Sequence, residues 1–253
     1  MSRTSAESLR LAGTGVDRVW PVVRIVGAAL IVAAVVAQLQ RTVSIALQAT
    51  TPHGSHLPTV VANFFSFFTI DSNVVAAVAL VVAAAWTWTA GRGSGREPRW
   101  LALLLAGATT YMLVTGVVFN VLLRGIALPQ GATVPWSNEV LHVVGPLVML
   151  ADLLLAPRRR ALGWGAILAV IAFPLAWIGY TLVRAGLVVA PATGDPWWYP
   201  YPFLDPRSPM TGGPGGVAAY VAGIAVVIAT AAAVVVWVGR RRERAGIADV
   251  VGR

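Results

Sequence analysis

The chain has 253 residues, of which 57% are hydrophobic and only 11% are charged. A soluble domain carries about 25% charged residues, so the composition excludes a water-soluble globular enzyme. All nineteen basic residues are Arg, because the chain contains no Lys, and it contains no Cys either. These absences exclude lysine Schiff bases, cysteine nucleophiles, disulfides and thiolate metal centres.

Six stretches are apolar and long enough to cross a membrane, which takes about 20 helical residues. In chain order they are Val19–Leu39, Phe64–Thr89, Trp100–Leu123, Ser137–Ala156, Leu162–Val189 and Gly216–Val238. The breakers between them include Gly91–Gly95, Leu128–Gly131 and Pro191–Gly215. We therefore predict an all-α integral membrane protein, with a six-helix transmembrane domain over residues 19–238. Residues 1–18 form an N-terminal tail and residues 239–253 a basic C-terminal tail.

The Arg residues are distributed unevenly between the connecting segments. With the N-terminus inside, fourteen Arg lie in cytoplasmic segments and three in outer segments. Because cytoplasmic loops are enriched in basic residues, both termini are predicted to be cytoplasmic, with His53, Gln130 and Trp197 outside. The Arg runs could also bind lipid headgroups or nucleic acid, but membrane orientation accounts for all of them, and no nucleic-acid partner is expected. The first span resembles a signal peptide, but its apolar run is too long and lacks a clear cleavage site.

Polar residues in the second span follow helical spacing. Asn63, Ser66, Thr69 and Asn73 are three, three and four residues apart, which predicts one polar helical face. Ser72 borders that face, and Asp71 lies on the opposite side.

The fourth span carries a second polar stripe, and the third span adds Tyr111, Thr115 and Asn120. The stripe consists of Asn138, His142, Gly145, Met149 and Asp152. Both the second and fourth spans enter from the outer side. At 1.5 Å per residue, Thr69 lies about 8–15 Å and His142 about 8 Å below the outer boundary. We therefore expect Thr69 to face His142, with Asp152 about 15 Å deeper.

Each of these residues also has a structural interpretation. Ser and Thr in membrane helices often bond to their own backbone, and a lone His often joins two helices. Asp152 is expected to pair with the Arg158–Arg160 turn. Asp71 could be a proton or cation site or a helix-packing partner. The aromatic segment Trp197–Phe203 could form a membrane-interface belt or a lid over a lipid pocket. His53 and His56 are too few for a metal, and neither a metal nor a cofactor is expected.

Three motifs carry a resemblance to a known family. They are F-F-T-I-D-S-N at 67–73, S-N-E-V-L-H-V-V-G-P at 137–146 and Y-P-F-L-D at 201–205. Together they resemble the family of androgen-induced protein and androgen-dependent TFPI-regulating protein, with its bacterial six-helix relatives. The animal members are described as threonine hydrolases of fatty acid esters of hydroxy fatty acids. The resemblance implies that Thr69 is the nucleophile, that His142 is the essential His, and that Asp152 and Tyr201 match further motif positions. It also implies a bacterial plasma membrane.

The residue chemistry agrees with an intramembrane hydrolase of fatty-acyl esters. A Thr hydroxyl needs an adjacent base, and His142 is the only imidazole at that depth. The nearest candidates for donors to an oxyanion are Ser72, Asn73 and Asn138. The expected partners are membrane lipids and a lipid ester substrate. The alternative is a non-catalytic protein that binds or transports a lipid or small molecule through the same pocket, in which case Asp71 would be the coupling residue.

Overall fold

The computed structural model describes the backbone of residues 3–92, 95–126 and 133–251, and the side chains of 18–92, 95–126 and 133–245. The predicted breaker Leu128–Gly131, with Gln130, lies outside the described residues. Within them the regular structure is entirely helical. The helices are α1 Arg3–Gln48, α2 Leu57–Phe64, α3 Phe68–Trp88, α4 Arg99–Val118, α5 Pro135–Glu139, α6 Gly145–Leu155, α7 Ala166–Ala185 and α8 Pro214–Val251.

Three short helical turns complete the fold. A π-helical turn, Phe119–Leu123, continues α4, and a second, Val140–Val144, joins α5 to α6. A 3-10 turn at Pro202–Leu204 lies in the segment before α8. Counting α5, its π-turn and α6 as one span, the structure contains six helical spans long and apolar enough to cross a membrane. Over the described residues, the prediction of an all-helical fold with six spans long and apolar enough to cross a membrane is therefore confirmed.

The helix α4 lies at the centre of the bundle, with α3, α6, α7 and α8 packed around it. In an 18-residue apolar stretch of its span 72% of the residues are buried, against 22% in the corresponding stretches of α7 and α8. Small residues allow this close packing: a Cβ at Gly116 would lie 3.2 Å from the His142 carbonyl oxygen. The segment that carries His142 is therefore packed closely against α4.

The second span differs from its prediction, because the chain turns at Phe65–Phe67 between α2 and α3. The Ser66 N–H donates to the Asn63 carbonyl, and the Phe67 carbonyl then accepts from the N–H groups of Ile70 and Asp71 in α3. The prediction that Asn63, Ser66, Thr69 and Asn73 share one continuous helical face is therefore wrong. The break is what places Thr69 at the start of a helix.

Other boundaries also move. The fifth span, predicted as Leu162–Val189, is helical only over Ala166–Ala185, and Gly186 follows its last turn. The helix α1 continues to Gln48, well beyond the predicted end at Leu39. The residues predicted as terminal tails continue the helices, since α1 begins at Arg3 and α8 ends at Val251.

The two ends of the bundle carry different side chains. At one end, called here the Arg-rich end, the Arg158, Arg160 and Arg242 guanidinium groups donate to backbone carbonyls of neighbouring segments. The opposite end carries the Thr69 turn and the segment 191–213, and is called here the site end. This segment folds back on the bundle: the Trp198 N–H donates to the Ala185 carbonyl at 2.9 Å.

Candidate functional site

Thr69 occupies the first turn of α3, where backbone N–H groups have no partner within the helix. Its N–H donates to the Tyr201 hydroxyl oxygen at 3.2 Å. Its own hydroxyl, Oγ1, also lies 3.2 Å from the Tyr201 hydroxyl. The turn at Phe65–Phe67 therefore presents both a hydroxyl and a backbone donor to one phenol.

His142 lies in the second π-turn, in the fourth span, and faces Thr69 of the second span. Its Nε2 atom is 3.4 Å from Thr69 Oγ1, so the structure brings the two residues together as their shared depth predicts. The Phe119 ring stacks on the imidazole, with 3.6 Å between the ring centroids and 18° between the planes. This stacking fixes the plane of the imidazole.

The hydrogen bonds define which nitrogen of the neutral imidazole carries the proton. The Asn138 carbonyl, 2.9 Å from His142 Nδ1, can only accept, so Nδ1–H donates to it. The lone pair of neutral His142 is then on Nε2, which faces Thr69 Oγ1. Because Tyr201 accepts from the Thr69 N–H, its own hydrogen can be donated to Oγ1. One chain of hydrogen bonds thus runs from Tyr201 through Thr69 to His142, and ends at the Asn138 carbonyl.

Two amide side chains support the π-turn that carries His142. The Asn73 amide donates to the Leu141 carbonyl at 3.2 Å, and the Asn120 amide donates to the His142 carbonyl at 3.3 Å. In a π-turn the backbone bonds span five residues, as in the bond from the Gly145 N–H to the Val140 carbonyl. Bonds from the two amides stabilise this wider turn and hold His142 in place.

The predicted oxyanion donors are already engaged in other bonds. Ser72 Oγ lies 3.0 Å from the Thr69 carbonyl and 2.8 Å from Thr115 Oγ1, so these hydroxyls join α3 to α4. The Asn73 amide donates to the Thr69 carbonyl at 2.8 Å as well as to Leu141. Asn138 contributes its backbone carbonyl to His142, and its side chain lines a cavity described below.

The two carboxylates named from the sequence lie away from the imidazole. Asp152 is at the Arg-rich end, where Arg24 Nε lies 2.7 Å and Arg159 3.2 Å from its oxygens. The expected pairing of Asp152 with the Arg158–Arg160 turn is therefore present, through Arg159. Asp71 is half-buried in the first turn of α3 and lines neither of the cavities at Thr69.

Two cavities meet at Thr69. The first, of about 100 Å³, lies among α4, α7 and α8 and is called here the apolar cavity. The second, of about 50 Å³, is called here the polar cavity because Gln38, Thr133, Asn138 and His142 line it. Both cavities are also bounded by Thr69, Phe119, Leu123 and Tyr201. A group bound at the Thr69 hydroxyl would therefore extend into two different environments.

The aromatic segment before α8 closes the site end. Trp198, Tyr201 and Phe203 are all buried, and the Phe67 ring makes edge contacts with Trp198 and Tyr201. These three rings therefore pack into the bundle. Burial raises the pKa of Tyr201 to about 12, so its hydroxyl remains a neutral donor.

Two residues at the site were missed in the sequence. Gln38 of α1 borders the polar cavity, and its side-chain oxygen accepts from the Val134 N–H at 3.0 Å. An amide within a hydrocarbon-length helix is a signal that could have identified it. Phe119 carried no such signal, because an apolar ring in a membrane helix is ordinary.

The described residues contain no group of three His, Asp or Glu side chains that could hold a metal ion. Comparison with family models, characterised proteins and solved structures found no match to this chain. The site must therefore be interpreted from its own geometry.

Proposed function

We propose that the protein is an intramembrane hydrolase of fatty-acyl esters that uses Thr69 as nucleophile and His142 as general base. The observation that carries the proposal is the pairing of Thr69 Oγ1 with the unprotonated Nε2 of an oriented imidazole, 3.4 Å away. A nucleophile, a base and a group that orients the base are the parts that acyl transfer requires. Here a backbone carbonyl takes the orienting role, so the unit is a dyad.

In the first step, His142 Nε2 takes the Thr69 proton while Oγ1 attacks the ester carbonyl carbon. The bond from that carbon to the alkoxy oxygen then breaks, and the alcohol leaves with the proton held on Nε2. In the second step, Nε2 takes a proton from water, and the resulting hydroxide attacks the acyl-Thr69 ester. Thr69 regains its proton from Nε2, and the carboxylic acid is released.

Both steps place negative charge on the carbonyl oxygen of a tetrahedral intermediate, which needs donors close to Oγ1. The Tyr201 hydroxyl lies 3.2 Å from Oγ1, and it also accepts from the Thr69 N–H at the start of α3. We assign Tyr201 as the principal oxyanion donor, because it lines both cavities at Oγ1 and its hydroxyl can turn its hydrogen from Oγ1 to a bound carbonyl oxygen. Ser72 and Asn73 line neither cavity, and their donors bind oxygens within the helix bundle.

The proposal includes a location. Fourteen Arg against three in the connecting segments support cytoplasmic termini and, with them, a site end in the outer half of a plasma membrane. The apolar cavity suits a lipid chain, and the polar cavity, lined by Gln38 and Asn138, suits the alcohol side of an ester. The motifs that resemble the family of androgen-induced protein agree with this chemistry and favour a bacterial membrane.

The test is hydrolysis of a panel of fatty-acyl esters by purified protein in detergent micelles, beside Thr69→Ala. Thr87→Ala is the matched control, because Thr87 is a half-buried Thr of the same helix that donates to its own backbone carbonyl at Ala83. We expect Thr69→Ala to lose turnover and Thr87→Ala to keep it. Equal turnover in wild type and a folded Thr69→Ala variant would refute Thr69 as the nucleophile, and no turnover of any ester by wild type would move a binding or transport protein ahead as the function.

A further inference from the structure

The apolar cavity has polar groups only at one end of an otherwise hydrocarbon-like wall. The hydroxyls of Thr69 and Tyr201 stand at the site end, and Thr115 is bonded to Ser72. The remaining wall is built from aliphatic and aromatic side chains of α4, α7, α8 and the segment before α8, among them Val114, Ile171, Val221 and Ile228. Such a wall favours an apolar ligand whose reactive group lies at one end.

The lining of the apolar cavity reaches the surface of the bundle on α7 and α8. Among its lining residues, only Leu175 and Ala225 are exposed, and they lie on these two helices. Leu175 is ten residues from the end of α7 at Ala185, and Ala225 is eleven from the start of α8 at Pro214. Both positions are therefore about 15 Å from the site end, which is half the thickness of a hydrocarbon core.

An opening at this depth faces lipid acyl chains, because the middle of a bilayer contains only hydrocarbon. The lining residues of α8, from Val221 to Ile228, span about 10 Å along the helix axis. Ile228 is buried at the deep end of this row, whereas Ala225 is a small residue at the opening. The space available to a chain is therefore bounded by α8 side chains.

We propose that the apolar cavity is an acyl-chain site that fills from the membrane between α7 and α8, and that Ala225 and Ile228 set the chain length it accepts. The substrate class is then an ester with one linear acyl chain in the apolar cavity and a compact polar alcohol in the polar cavity. This assignment rests on the proposed hydrolase function for the position of the ester carbonyl at Thr69. Occupation of the cavity by an acyl chain can be measured without catalysis.

The catalytic test compares p-nitrophenyl butyrate, octanoate and palmitate as substrates. Ala225→Phe narrows the opening, so the ratio of octanoate to butyrate turnover should fall about tenfold or more, since single methylenes change such ratios by 10–200-fold. Ala222→Phe is the matched control, because Ala222 is an exposed residue of the same helix that lines neither cavity at Thr69. Its ratio should equal that of wild type. Equal ratios in Ala225→Phe and wild type would overturn the proposal.

A second variant and a second measurement separate this proposal from the hydrolase function. Ile228→Ala deepens the cavity and should raise palmitate turnover relative to octanoate. A photoactivatable fatty acid in proteoliposomes should label cavity-facing residues of α7 and α8 in wild type and in Thr69→Ala, but much less in Ala225→Phe. Label found only on lipid-facing residues outside the cavity, or cavity label unchanged by Ala225→Phe, would refute the acyl-chain site. Absence of ester hydrolysis in wild type, with this labelling intact, would refute only the hydrolase function.

Discussion

The two ends of the bundle both bury polar side chains, but with different chemistry. At the Arg-rich end, Arg24, Glu97 and Asp152 are at most 3% exposed and joined by ion pairs of 2.7–3.0 Å. At the site end, Thr69, Tyr201 and His142 are joined by longer contacts of 3.2–3.4 Å, and they border two cavities.

The difference shows which buried polar groups mark a candidate site. Arg24, Glu97 and Asp152 line none of the cavities described above, and their charges are neutralised by one another and by Arg159. The hydroxyls and the imidazole face space that a ligand can enter. From sequence alone, a polar side chain in a membrane helix fits either a functional site or a structural ion pair. Its position beside a cavity distinguishes the two.

The largest expected effect is at the site end, where His142→Ala should lower kcat for ester hydrolysis about 10⁴-fold or more. Loss of the base costs about as much as loss of the nucleophile, because the two act as a unit. Steady-state rates of the purified variant measure this effect, and the double variant with Thr69→Ala should be no slower than either single one. A double variant markedly slower than both would show that the residues act independently.

At the Arg-rich end, Arg24→Leu should destabilise the fold by about 3–5 kcal/mol, since it leaves buried carboxylates without their partner. Thermal or denaturant unfolding in detergent measures the loss. Arg18→Leu is the control, because Arg18 belongs to the same helix but is exposed. If Arg24→Leu unfolds at the same midpoint as wild type, the ion pairs at the Arg-rich end do not stabilise the fold.

Tyr201→Phe should lower kcat about 10²–10³-fold while changing KM little, because an oxyanion donor acts mainly in the transition state. Tyr199→Phe, two residues earlier in the same segment and lining neither cavity, should keep wild-type rates. A fall in Tyr201→Phe that appears only in KM would assign the phenol to substrate binding instead.

The smallest effect is the pH dependence of wild-type activity. Only neutral imidazole can accept the Thr69 proton, so kcat should rise with pH through the His142 titration and reach a plateau above it. The reference pKa of His is about 6.5. Because the pKa of Tyr201 is raised to about 12, the plateau should show no decline from phenol ionisation up to pH 10. A rate independent of pH on the acidic side would remove imidazole as the base.

The six spans could be predicted because hydrocarbon thickness fixes the length of an apolar helix. The facing of Thr69 and His142 was also predictable, since both residues lie at a similar distance from the same end of their spans. In both cases the signal is local: a run of apolar residues, or a count of residues from a boundary.

The turn at Phe65–Phe67 and the π-turns were not predictable from helical spacing. Their wider or interrupted backbone bonds are supported by side chains distant in sequence, such as Asn120, whose amide reaches the His142 carbonyl. The role of Tyr201 has the same origin, because its hydroxyl meets Thr69 across 132 positions of the chain. These features depend on tertiary contacts, which the periodic spacing of polar and apolar residues along the sequence does not reveal.

The most direct test of the account is the site of covalent labelling by a serine- and threonine-directed alkyl phosphonate, mapped by peptide mass spectrometry. The phosphonate mimics an acyl ester and should be attached to Thr69 Oγ1 in wild type and in Thr87→Ala. Labelling should be absent in Thr69→Ala and strongly slowed in His142→Ala. A phosphonate adduct on any other residue, or undiminished labelling of a folded Thr69→Ala variant, would contradict the assignment of Thr69 as the nucleophile.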